Sequence, residues 1–161
     1  MLKKPALLSL LLLPLSVAAP EGTTILGFEY WTPASLAELA KPLTAKAATD
    51  AHHAATQKLP EFPNEYFLLA HREGDGQAEW HETEADVFVV QSGTAMLVVG
   101  GTMVKPETTA PQEKRGPSID GGSRQKLAPG DIVRIPARVP HQLLVVPGEH
   151  FTYLVIKIKG Y

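Results

Sequence analysis

The sequence predicts an all-β domain, a sandwich or barrel of short antiparallel strands, with one short helix ahead of it. Three observations carry this expectation. From residue 65 onward, short runs of branched and aromatic residues are punctuated by glycine and proline turns at regular spacing, the pattern of closed β architectures. The last run, Phe151 to Lys159, alternates strongly: Thr152, Leu154, Ile156 and Ile158 share one face, and Tyr153, Lys157 and Lys159 the other. Finally, 161 residues without internal repeat suit one domain with a sizeable core, stable without a covalent or metal staple.

The N-terminal residues read as an export signal rather than as part of the fold. Lys3 and Lys4 precede a leucine-dominated run from Pro5 to Leu15, and Ser16-Val17-Ala18 supplies small residues for cleavage. The run is shorter than the roughly 20 residues of a membrane span, and Pro14 interrupts it. We therefore expect a secretory signal over residues 1–18 and a periplasmic or extracellular protein with no membrane anchor after its removal. Residues 19–64 are expected to form an N-terminal arm with a short helix and a loop, and residues 65–161 the barrel.

Within the arm, Glu21 to Trp31 is mixed and β-prone. Thr32 fits a helix N-cap and Pro33 the first helical position. Ser35 to Lys41 carries Leu36, Leu39 and Ala40 at helical spacing, and Pro42 is expected to end the helix. The alanine-rich stretch to Pro63 reads as a surface loop, with His52 and His53 solvated.

The barrel elements follow in order. Glu65 to Arg72 reads as a strand, and Gly74-Asp75-Gly76 as a turn. Glu79 to His81, Asp86 to Gln91 and Thr94 to Val99 are further extended runs, the last ending at Gly100-Gly101. Residues 105–126 are polar and rich in glycine and proline, which predicts a long loop with one short strand. Asp131 to Ile135, His141 to Val146 and Phe151 to Lys159 complete the set.

Composition removes several chemistries. With no cysteine and a net charge of −2, the chain offers no disulfide, zinc–thiolate site, iron–sulfur cluster or thiol nucleophile. No basic face for nucleic acid is evident. It also lacks a G-x-S-x-G nucleophile elbow and a phosphate-cradling glycine loop followed by lysine.

Two segments stand out: EWHETEADVFVVQSG, Glu79 to Gly93, and PGDIVRIPARVPH, Pro129 to His141. Together they resemble the two motifs of the cupin superfamily, over residues 65–158. In the second, Gly130, Pro136 and His141 fall on family positions, while Arg138 replaces a glycine and Val145 an asparagine. In the first, anchored on Gly93, Asp86 stands at the glutamate position, His81 at the second histidine and Glu79 at the first. The resemblance implies an antiparallel double-stranded β-helix, a jelly-roll barrel, holding a first-row metal inside. Carried over by position, the metal ligands are His81, His141, Asp86 and Glu79.

Two imidazoles and one or two carboxylates suit a divalent transition metal: manganese, iron, nickel, copper or zinc. Strand alternation puts Glu79 and His81 on one side with Trp80 opposite, and aligns Asp86, Phe88 and Val90. Burying two carboxylates beside two histidines calls for a cation or for protonation. The metal-bearing resemblance implies dioxygenase, decarboxylase, lyase or isomerase chemistry on a small oxygen-containing molecule, and a homodimer. The competing readings are a metal-free small-molecule-binding barrel and a purely structural one, in which the acidic run from Glu73 to Asp86 is a solvated edge. His71 reads as a satisfied core histidine or a pocket residue, and Arg115, Arg124 and Lys126 as loop cations.

Overall fold

The computed structural model describes residues 25–161, so the expected signal segment lies outside the described residues. Among the described residues the first element is helix α1 (Pro33–Ala47). Strands β1 (Ala54–Glu61), β2 (Glu65–Arg72), β3 (Ala78–His81), β4 (Glu84–Gly93) and β5 (Ala95–Val99) follow. Five short strands come next: β6 (Thr102–Val104), β7 (Glu107–Ala110), β8 (Glu113–Gly116), β9 (Ser118–Asp120) and β10 (Ser123–Leu127). Strands β11 (Ile132–Ile135), β12 (His141–Leu144) and β13 (Phe151–Lys159) close the fold.

The strands form two larger antiparallel sheets and a two-stranded one. One sheet has the order β1-β2-β13-β4-β11, the other β10-β5-β12-β3-β8-β7, and β6 pairs with β9. Inward side chains of both sheets meet in one core that includes Phe88, Leu97, Leu127, Leu143, Tyr153 and Val155. The architecture is a jelly-roll barrel with one helix, as the two motifs imply. Gly93, the anchor of the first motif, has φ +75°, and a Cβ there would collide with the His150 carbonyl. Only glycine lets the end of β4 pass that close.

The helix opens as expected. The Ser35 N–H donates to Thr32 Oγ1 (3.0 Å) and the Thr32 N–H to Ser35 Oγ (2.9 Å), a reciprocal cap. It does not stop at Pro42, however, but runs on to Ala47. Proline in a helix interior costs about 3 kcal/mol. The extra turn buries Leu43 and Ala47 completely, and one buried leucine alone contributes about 1.5–3 kcal/mol. Leu36 and Leu43 pack with Leu69 and Leu154 on the outer face of the first sheet. Strands β2 and β13 are thus covered on both sides, by α1 outside and the core within.

Two expected loops are strands. The stretch before Pro63 contains β1, an edge strand whose weak apolar pattern, AATQKLPE, gave no alternation to read. Its Pro60 falls where the β1–β2 register slips, a place where an edge strand tolerates proline. Residues 105–126 hold β7, β8 and β9 and all but the last residue of β10, most of them solvent-exposed. Backbone pairing with covered neighbours holds these polar segments, so hydropathy does not reveal them. Among the described residues no helix is long and apolar enough to cross a membrane.

Candidate metal centre

Strand pairing builds the site from both sheets. Alternation along β3 turns Glu79 and His81 inward and leaves Trp80 on the other side, where Lys114 Nζ sits 4.7 Å from the ring centroid. His141 of β12 lies opposite Glu79 in register. Asp86 reaches the same point from β4. One ligand atom from each of Glu79, His81, Asp86 and His141 lies within 4.8 Å of the others. The structure therefore brings the four sequence-derived residues together as a group that could hold a metal ion. His81, Asp86 and His141 are buried.

The histidines are oriented for this. His141 Nδ1 stands 3.2 Å from the Val139 carbonyl; donating a ring N–H there leaves the Nε2 lone pair facing the cluster. His141 Nε2 is buried without a hydrogen-bond partner, although Asp86 Oδ2 is 3.2 Å away. His81 turns Nδ1 toward Glu113 Oε1 at 3.3 Å and Nε2 toward Asp86 Oδ2 at 3.5 Å and Glu79 Oε2 at 3.6 Å. The backbone carbonyl of His81 accepts from the Arg138 N–H at 2.8 Å, tying the second motif to the first. Two imidazole nitrogens and two carboxylates converging on one buried point fit a first-row divalent metal.

The site also contains cations that the sequence reading did not place there. Lys157 lies opposite Asp86 in the β13–β4 register and is buried. Its Nζ is 2.6 Å from Asp86 Oδ1 and 2.7 Å from His81 Nε2. Arg115, expected as a solvated loop cation, forms an ion pair with Glu79. Arg72 Nη2 approaches Glu79 Oε1 at 3.5 Å, and its Nε–H donates to the Tyr153 hydroxyl at 3.2 Å. The buried carboxylates are therefore offset by protein cations, an answer to their desolvation cost beyond the metal or protonation considered above.

This charge pattern sets the titration of the cluster. Burial works to raise Asp86, but the adjacent His141 and His81 rings and the Lys157 charge outweigh it and hold the carboxyl far below its usual range. Glu79 behaves likewise: burial raises it, while the neighbouring His81 ring and the Arg115 charge pull it well down. For His81, burial opposes the charged form, but Asp86 and Glu79 prevail and raise it to about 9.

Lys157 carried a readable signal, since it alternates with Tyr153 in β13 and so shares the inward face. Glu113 and Arg115 carried none, because their approach depends on the β3–β8 register, which pairs Glu79 with Arg115 and His81 with Glu113. His71 lies outside this site. It is buried, with Nδ1 2.8 Å from Thr152 Oγ1 and Nε2 3.2 Å from Glu73 Oε1, and it borders a separate cleft beside α1. His52, His53, Arg124 and Lys126 are exposed.

A cavity of about 250 Å³ adjoins the cluster, lined by Glu79, Asp86, His141, Arg72, Arg115 and Lys157 among others. Fold and site together define a jelly-roll barrel with a candidate metal centre. Solved structures similar to this chain include TT1209 from Thermus thermophilus, with TM-score 0.49, 18% identity, and 66% of this chain and 83% of that one covered. A cupin protein from Bacteroides fragilis has TM-score 0.47 and 14% identity over 65% of this chain and 76% of that one. The DMSP lyase DddQ from Ruegeria pomeroyi has TM-score 0.48 and 17% identity over 65% of this chain and 46% of its own. No protein-family model and no curated protein matches the sequence.

Proposed function

We propose that this chain is an exported cupin-type barrel that binds one divalent transition metal through His81, His141, Asp86 and Glu79 and acts on a small oxygen-containing molecule. The observation that carries the reading is the unpartnered, buried His141 Nε2 directed at two carboxylates and a second imidazole. Bound there, such a metal would polarise a carbonyl or stabilise a developing oxyanion. The chain's own residues divide the remaining work. The Val139 carbonyl orients the His141 ring, and Arg72 and Arg115 hold Glu79. The adjoining cavity admits a ligand of a few heavy atoms beside the cluster. Dioxygenase, decarboxylase, lyase and isomerase chemistries all fit these parts. Export and pairing into a homodimer belong to the same proposal and rest on the sequence alone.

A second reading has its own support. Lys157 and Arg115 already neutralise Asp86 and Glu79, which suits a metal-free barrel binding a small molecule. Elemental analysis of the full chain, produced without a histidine tag and incubated with each metal, separates the two. About one equivalent of metal is expected, lost in the His81→Ala/His141→Ala double variant while circular dichroism stays β-like. Substoichiometric metal in the unmodified chain rejects the first reading, and full occupancy in the double variant shows that the site lies elsewhere.

A further inference from the structure

We propose that Lys157 is the resident counter-cation of this centre and competes with the metal for Asp86 and His81, so that a metal can enter only as the ammonium withdraws. The inference rests on the metal reading above and adds to it a residue of opposite sign of action: the ligands attract the ion, and Lys157 repels it.

The position of Lys157 is fixed by backbone pairing rather than by a side-chain rotamer alone. β13 lies beside β4 with Lys157 directly across from Asp86, and residues opposite one another in such a pair share a face. The residue is buried, so the head group is held in the interior beside the site. Its Nζ contacts Asp86 Oδ1 at 2.6 Å and His81 Nε2 at 2.7 Å, engaging two of the four residues that could hold an ion.

An ammonium offers three donors and no acceptor, so it cannot serve as a fifth ligand. First-row metals bind imidazole nitrogen and carboxylate oxygen at about 2.0–2.2 Å. An ion at that distance from His81 Nε2 would stand no more than about 5 Å from Nζ, which is itself 2.7 Å from that nitrogen. Two cations so close in a poorly solvated interior repel strongly. The flexible four-carbon stem allows the head to swing, and Glu113, which lines the same cavity, offers a carboxylate outside the four-residue group. The competition favours ions that bind this donor set most strongly over those that bind it weakly.

Isothermal titration of the chelator-treated full chain with zinc and with manganese tests this, comparing wild type with Lys157→Met and Lys157→Gln. At least tenfold tighter binding is expected in both variants, with one ion per chain throughout. In the metal-free state Lys157→Met is expected to melt below wild type, because Asp86 loses its buried partner, and zinc is expected to restore it. Should Lys157→Met not fold, Lys157→Gln decides, since its amide can still donate to Asp86. Equal or weaker affinity in the folded variants overturns the competition and leaves the metal reading standing. Absence of zinc and manganese binding in all three chains overturns the competition and rejects the metal reading for these two ions.

Discussion

Arg138 stands where the cupin motif that the sequence resembles has a glycine, and it adopts φ +64°, a left-handed conformation that costs a non-glycine residue about 1–2 kcal/mol. Its side chain is exposed, while its N–H holds the His81 carbonyl, so the backbone is what the site uses. Arg138→Gly is therefore expected to keep that hydrogen bond and raise stability by about 1 kcal/mol, glycine's greater unfolded-state entropy limiting the gain. Thermal melting checks this; an unchanged or lower midpoint would show that arginine's side chain matters where it now lies in solvent. Asp86 and Lys157 illustrate the complementary case, in which each residue is tolerable in the barrel because the other faces it. Asp86 was legible from its motif position. The sequence placed Lys157 on the Tyr153 face of β13, but that this face points inward and meets Asp86 came only from the strand pairing.

Helix α1 shows how packing overrides a local stop signal. Pro42 removes the hydrogen bond to the Glu38 carbonyl that a continuing helix would make, and the sequence accordingly reads as ending at Lys41. The turn beyond it survives because it brings Leu43 and Ala47 against the sheet. Leu43→Ala is expected to destabilise the fold by about 2–5 kcal/mol, measured by denaturant unfolding. A loss below about 0.5 kcal/mol, the usual surface effect, would place Leu43 outside the core. Strand β8 is the opposite kind of element. It has little apolar signal, yet its pairing with β3 delivers Glu113 and Arg115 to the two inward residues of that strand. Its contribution is positional, and only the register reveals it.

The whole molecule couples folding to the charge of its interior. Asp86 and Glu79 lie below their ordinary values of 3.8 and 4.5, so the stability they contribute is present above about pH 4.5 and is lost as pH falls. The chelator-treated protein is expected to keep its melting midpoint above about pH 5 and to melt progressively lower below it. A melting midpoint unchanged from about pH 6 to 3 would contradict this arrangement. The same barrel encloses the cavity, whose walls come from both sheets, so any ligand reaching the centre contacts residues far apart in the chain.

By itself the sequence determined the β class of the chain, most strand positions, the helix start and the four residues that converge as candidate ligands. Those features are written in alternation, turn chemistry and motif spacing, all of them local in the chain. The tertiary structure decided where α1 ends, that residues 105–126 pair as strands, and that Lys157, Arg115, Arg72 and Glu113 surround the centre. Each of these depends on contacts between segments distant in sequence, where burial outweighs a helix breaker and strand register chooses which charges meet.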